Sequence, residues 1–288
     1  MEVNGKTKVL GLLGWPVSHT QSPKIHNTLA EAYDQNMVYV PLPVHPNHIK
    51  EAIDGLGALG YMGVNVTVPH KQAVMACVDH VDSAAEAIGA VNTILFEYDQ
   101  ENPSQKPKTF GYNTDWIGFR DDLEQYGVEL NGRDAVVLGA GGSARAVVYS
   151  LLQANAKVHI LARRPEQAEA LKSEMQTHFP DQFQASYDIS LLADVNDQVE
   201  DPLIINTTPV GMTPNIDQSP WPENILLKKG SIIYDLIYTP AKTKLMQDAR
   251  SVGCEAFNGL GMLIGQGAEA FRIWTGVKPD YSVIADVL

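Results

Sequence analysis

Apolar residues along this chain follow two patterns: short unbroken runs closed by glycine, proline or polar clusters, and longer segments in which they recur every three or four positions. The first pattern marks strands buried on both faces, the second helices with one covered face. Residues 8–13 predict a first strand. A helix should follow, with Pro23 at its first position, Ser22 before it as the cap, and Ile25, Leu29, Ala32 and Tyr33 on one apolar face. Next come a strand at 38–43, a helix with Ile49, Ala52, Ile53 and Leu56 on one side, and a strand at 63–68. There Asn65 and Thr67 share one face, and Val64, Val66 and Val68 the other. Helical patterns run on to Ala87, and residues 89–96 open another strand. Residues 99–108, with Pro103 and Pro107, read as a surface loop at a hairpin tip. Residues 110–116 lead into a helix carrying Ile117, Phe119, Leu123 and Tyr126 that stops at Gly127.

The second half alternates more regularly. Strands are predicted at 135–138, 157–161, 183–187, 202–206 and 230–236, and helices after the turn at 139–142 and at 165–179, 244–252 and 259–274. Strands alternating with helices build a parallel, doubly wound sheet. The fold class is therefore α/β, and 288 residues suit two domains.

The run Ala135-Val136-Val137-Leu138 ends in Gly139-Ala140-Gly141-Gly142-Ser143-Ala144, and Ala146, Val147, Val148, Leu151 and Leu152 continue at helical spacing. This is the strand–turn–helix of a dinucleotide-binding unit, making the nucleotide domain Rossmann-type. Gly139 permits the turn, Gly141 lets the backbone approach a pyrophosphate, and Ala144 stands at the third small position. Amides at the helix start would face the phosphates. About 20 residues further on, an NAD site carries an acid on the ribose 2′-hydroxyl. This chain has Arg163-Arg164 there. A guanidinium binds a 2′-phosphate that a carboxylate would repel, so the pair points to NADP; the other reading is solvated charge at a strand end.

Composition narrows the partners. With 34 acidic against 21 basic residues the formal charge is -13, which disfavours nucleic acid and anionic membrane and leaves small molecules. No apolar run reaches the roughly 20 residues that cross a bilayer. Cys77 and Cys254 are far apart and suit a reducing compartment, and no secretory pattern opens the chain, so the cytoplasm is the default location. The eight histidines show no ligand spacing, and no metal is expected.

Four features carry candidate chemistry. Ser18, Thr20 and Ser22 bring hydroxyls to a helix N-terminus, which suits a carboxylate, although Ser22 could serve only as a cap. Asn65 and Thr67 are polar positions on a valine strand. Lys71 follows its end, where α/β folds place their chemistry; a lone lysine there also fits plain exposure. Gln266 is the polar exception in an apolar helix and asks for a buried partner or a ligand.

Seven blocks, Ser-x-x-x-Ser-Pro at 18–23, Asn-Val-Thr-Val-Pro-x-Lys at 65–71, Gly-Ala-Val-Asn-Thr at 89–93, Tyr-Asn-Thr-Asp at 112–115, Gly-Ala-Gly-Gly-Ser-Ala at 139–144, Asn-Thr-Thr-Pro-x-Gly-Met at 206–212 and Gly-Leu-Gly-Met-Leu-x-x-Gln at 259–266, stand in order along the chain. In this set the chain resembles the shikimate dehydrogenase family nearly end to end. The resemblance implies reversible NADPH-linked reduction of 3-dehydroshikimate to shikimate, toward aromatic amino acids. It implies a substrate domain split between 1–113 and 239–288 around an NADP-binding domain at 114–238, in a monomer or homodimer. It places Thr20, Ser22, Thr67 and Tyr238 on the substrate carboxylate, Lys71 and Asp115 as the catalytic pair, and Asn92 and Gln266 on ring hydroxyls. Gly139, Ala140, Gly141, Gly142, Ser143, Arg163, Arg164, Leu236 and Gly259 would contact the cofactor.

The family usually has Ser at position 20, commonly Asn at Trp15, and Asn-Arg-Thr where Ala162-Arg163-Arg164 stands. Thr20 keeps the hydroxyl, while Ala162 loses a polar contact to the adenosine ribose. Two further readings share the scaffold: a quinate/shikimate dehydrogenase of broader specificity, and a non-catalytic NADP- or metabolite-sensing module. Loss of the lysine or aspartate would favour the sensor, and both are present.

Overall fold

A computed structural model describes residues 2–102, 104–180, 183–188, 196 and 198–288. They form two compact units, one of Met1–Gly118 with Ile264–Leu288 and the other of Phe119–Leu263. Each holds a six-stranded sheet.

In the first unit the strands are β1 (Lys8–Gly14), β2 (Met37–Pro43), β3 (Gly63–Val66), β4 (His80–Val81), β5 (Thr93–Glu97) and β6 (Lys108–Tyr112), in the order β2-β1-β3-β5-β6-β4. β1 is parallel to β2 and β3, and β5 is antiparallel to both its neighbours. Parallel partners require crossovers, which α1 (Ser22–Ala32) and α2 (Ile49–Ala58) supply. The apolar side of α2, Ile49, Ile53 and Leu56, is buried with Leu13, Val64, Val66, Ile94 and Phe96 of the strands. α1 packs on β1 and β2. His26 of α1 is fully buried, its ring stacked on Tyr39 at 4.4 Å and tilted against Trp274 at 5.2 Å.

Three local expectations change. The cap of α1 is Gln21, without a side-chain hydrogen bond, and Ser22 is the first helical residue, so its hydroxyl is not spent on capping. β3 ends at Val66, and Val68, expected on the apolar face, is 65% exposed ahead of Pro69. Residues 89–92 follow the short helix α3 (Ser83–Ile88), and regular pairing starts only at Thr93. Pro103 of the expected hairpin loop lies outside the described residues.

In the second unit, β7 (Asp134–Leu138), β8 (Lys157–Ala162), β9 (Phe183–Asp188), β10 (Leu203–Asn206), β11 (Ile232–Asp235) and β12 (Glu255–Asn258) lie in the order β12-β11-β10-β7-β8-β9. All pair in parallel. Read from β9 this is the 3-2-1-4-5-6 order of dinucleotide-binding sheets, with its switch point between β7 and β10, where ligands bind beyond the strand ends.

The two units meet the chain differently from the expected 113/114 and 238/239 boundaries. α4 (Asp115–Gln125) runs through the first junction. Residues 239–263, expected with the C-terminal part of the substrate domain, belong to the second unit. The reason is pairing and burial. β12 adds to β11 in register, and Leu245, Met246 and Ala249 of a helix at Lys244–Ser251 are buried with Val136, Ile204 and Ile233. α5 (Gly142–Gln153), α6 (Pro165–Gln176) and that helix, α7, are followed by α8 (Leu260–Thr275), which runs through the second junction, and α9 (Tyr281–Ala285). In the first unit Trp274 Nε1 donates to Ile94 O at 3.0 Å, and α9 packs on α1.

Candidate active site

Lys71 sits five residues past β3, and its carbonyl accepts from Val91 N at 2.8 Å, which ties it to the segment entering β5. Asp115 opens α4. Its amide donates to Asn113 Oδ1 at 3.0 Å, and Asn113 Nδ2 donates to Ala90 O at 2.9 Å, so the start of the helix is fixed to that same segment. The result is a contact between residues far apart in sequence: Lys71 Nζ donates to Asp115 Oδ2 at 2.6 Å. The two side chains are only 13% and 8% exposed. A charge-assisted bond so shielded from water holds its geometry better than a surface pair.

Asn92 joins this pair. Its Nδ2 donates to Asp115 Oδ1 at 2.9 Å and to Thr114 Oγ1 at 3.0 Å, and its Oδ1 accepts from Thr114 N at 2.8 Å. At the start of α1, Thr20 Oγ1 donates to Ser22 Oγ at 3.1 Å and accepts from Ser22 N at 3.2 Å. Two adjoining hydroxyls at a helix N-terminus suit an anionic oxygen. Thr67 and Gln266 are half-buried in the same unit.

The cofactor candidates gather in the second unit. Gly139, just past β7, has φ +110°, and a Cβ there would lie 2.6 Å from Thr207 Oγ1, so the turn requires glycine. Thr207 Oγ1 donates to Leu138 O at 2.7 Å, and Gly139 N donates to Leu161 O at 2.8 Å. Gly141 precedes α5 without a side-chain cap, and no acid stands in the first turn, so amides around Gly142 and Ser143 are available to an anion. Ala140 is half-buried beside them. Arg163 and Arg164 are exposed just beyond β8, the strand bonded to Gly139. Gly259 lies against Leu236: a Cβ on it would come within 2.2 Å of Leu236 O. Buried Asp235 holds this corner by accepting from Asn206 Nδ2 at 2.9 Å, Thr243 Oγ1 at 2.7 Å and Ile237 N at 3.1 Å. Burial pushes its carboxyl above the usual range. Tyr238 is half-buried in this second unit, and burial raises its phenol, which stays a hydrogen-bond donor at neutral pH.

Residues 12–94 match the shikimate dehydrogenase substrate binding domain, and residues 259–288 the shikimate 5'-dehydrogenase C-terminal domain. Over 286 residues the chain is 43% identical to the shikimate dehydrogenase (NADP(+)) of Methanocaldococcus jannaschii, covering 99% of this chain and 98% of that protein. The chain belongs to the shikimate dehydrogenase family. The solved structure of a shikimate dehydrogenase in complex with NADP+ matches it with a TM-score of 0.88 at 41% identity, covering 99% of this chain and 96% of that one. The family's Thermus thermophilus enzyme, solved in complex with NADP(H) and shikimate, matches with a TM-score of 0.83 at 32% identity, covering 98% of each chain.

Sequence reasoning missed the groups that support the central pair in this family member. Asn113 and Thr114 position Asp115 and Asn92, and an Asn-Thr before an acidic helix start is a cap signature that could have disclosed them. Thr93 stood in the block at 89–93 but had no such local signal, because a threonine opening a strand reads as ordinary β-propensity.

Proposed function

We propose that this protein is an NADP-dependent shikimate dehydrogenase, which interconverts 3-dehydroshikimate and shikimate in the cytoplasm, toward aromatic amino acids. The observation that carries this reading is the shielded Lys71–Asp115 pair, joined by Asn92, in a member of this family. Reduction of a ketone needs a proton for the developing alkoxide. Lys71 Nζ gives that proton and takes it back in oxidation, and its positive charge offsets the alkoxide before transfer is complete. Asp115 orients the ammonium and balances its charge. Thr20, Ser22 and Thr67 take the substrate carboxylate, and Gln266 and Asn92 face ring hydroxyls.

Bound NADP supplies the hydride donor or acceptor. The chain fits it in two respects: uncapped amides at the start of α5 suit a pyrophosphate, and Arg163 and Arg164 beyond β8 suit a 2′-phosphate.

The deciding experiment compares initial rates with shikimate and with quinate, each with NADP+ and with NAD+. Shikimate with NADP+ should be fastest. Faster turnover of quinate would favour the broader quinate/shikimate reading, and binding of NADP+ without turnover of either acid would favour the sensor.

Cofactor choice gives a further expected result. A guanidinium–phosphate contact contributes roughly 1.5–3 kcal/mol, one to two decades in affinity, so NADP should be preferred by at least about tenfold. Arg163→Asp should lower that ratio by weakening NADP alone. Equal loss with both cofactors would make the arginine structural.

A further inference from the structure

We infer that Thr93, held by Asn65 and Tyr39, is a positioning residue for the Lys71–Asp115 pair, an inference that rests on the dehydrogenase reading above. Behind the pair runs a hydrogen-bonded chain of side chains, all nearly inaccessible: Tyr39 is 1%, Asn65 4%, Asn92 2% and Thr93 0% exposed. Tyr39 Oη donates to Asn65 Oδ1 at 2.7 Å. Asn65 Nδ2 donates to Asn92 O at 3.2 Å and to Thr93 Oγ1 at 3.0 Å. Thr93 Oγ1 donates to Asn92 Oδ1 at 3.0 Å, and Asn92 Nδ2 donates to Asp115 Oδ1 at 2.9 Å.

The direction of this chain is fixed by backbone groups that have only one role. Asn92 O can only accept, so the amide nitrogen of Asn65 must face it. Thr93 Oγ1, already accepting from that nitrogen, has its own proton left for Asn92 Oδ1. Thr114 N can only donate, and it also meets Asn92 Oδ1. Both constraints turn Asn92 Nδ2 toward Asp115 Oδ1, which leaves Asp115 Oδ2 for Lys71. A reversed Asn92 would set carbonyl oxygen against carboxylate. Thr93 is thus the side-chain hydroxyl that passes order from the sheet interior to the reacting pair, without facing the substrate itself.

The test is Thr93→Val, which removes the hydroxyl while keeping volume and branching, alongside Thr93→Ser. Misplacing a reacting group is costly even at short range, and loss of one ordering hydrogen bond predicts a fall of about tenfold in kcat for shikimate oxidation. KM for NADP+ should be unchanged, and T93S should recover most of the loss. Against a Lys71→Met background, T93V should cost less than about twofold, because the hydroxyl acts through the pair. Wild-type kcat in folded T93V, equal impairment of T93S and T93V, or a full additive loss in the Lys71→Met background would each overturn the assignment. If T93V does not fold, Tyr39→Phe and the Thr93→Ser/Thr93→Ala comparison decide: equal kcat in the Ser and Ala variants overturns it. A wild-type protein that does not oxidise shikimate overturns the dehydrogenase reading and this role with it, whereas normal wild-type turnover with an unimpaired T93V overturns only the role.

Discussion

Lys71→Ala should lower kcat for shikimate oxidation by about 10²–10⁴-fold, the range that a positioned general acid–base contributes, with KM within about tenfold. The reason lies in the isolation of the ammonium. Lys71 Nζ is held by Asp115 Oδ2 at 2.6 Å, with both side chains largely shielded from water. Among the described residues no second lysine is paired with that carboxylate, so alanine leaves the alkoxide without a placed proton. The bonds of Asn92 Nδ2 and of the Asp115 amide persist, so substrate contacts made elsewhere keep their geometry. Steady-state rates with a folded variant, checked by its melting temperature, measure the effect. Turnover near the wild-type value would remove Lys71 from the proton path.

The second large effect is on acid stability. Burial pushes the His26 imidazole from its ordinary 6.5 down to about 3. Between these values the unfolded chain takes up a proton at His26 that the folded chain refuses. Its contribution to stability is therefore fully present above pH 6.5 and is lost as pH falls, by about 1.4 kcal/mol for each pH unit and by roughly 4–5 kcal/mol near pH 3. Asp122 and Asp235 act with the opposite sign. Burial raises both carboxyls, so they favour the folded state when protonated and lose that contribution as pH rises. Comparison with His26→Leu isolates the histidine. Urea denaturation at pH 7 and pH 5 should show wild type losing about 2 kcal/mol more than the variant over that interval. Parallel losses in the two proteins would show that His26 is not the acid-sensitive group.

Much of the architecture was legible where local physics and tertiary environment agree. The run 135–138 ended by Gly139 gave its strand and turn because a fully buried parallel strand must be apolar throughout, and the turn leaves room for little but glycine. The helix 260–275 was readable from its spacing. The unit boundary near 238 was not. Residues 239–263 contain an ordinary amphipathic helix and a short strand, and nothing local says which sheet that strand will join. Pairing of β12 with β11 decides it. At the candidate site, Lys71 and Asp115 stood out through family blocks, while their contact depends on Ala90, Val91 and Asn113 aligning two distant segments. Ser22 was misplaced as a cap because a serine before a proline has two uses, and only the backbone angles at Gln21 choose between them.

The first unit is interrupted in the chain by the whole of Phe119–Leu263, and its closing contacts come from the far end: Trp274 Nε1 to Ile94 O, and Asp280 N to Tyr33 Oη at 2.7 Å. The second unit is continuous. During synthesis at roughly 5–20 residues per second, the opening segment must therefore wait on the order of ten seconds for these closing contacts. All strands of the second unit have been synthesised once β12 is made, just before the segment that carries Trp274 and Asp280. Birth order on the ribosome is thus reversed with respect to sequence order: the segment made first is completed last, and until Trp274 and Asp280 arrive its contacts at Ile94 and Tyr33 stay unmade.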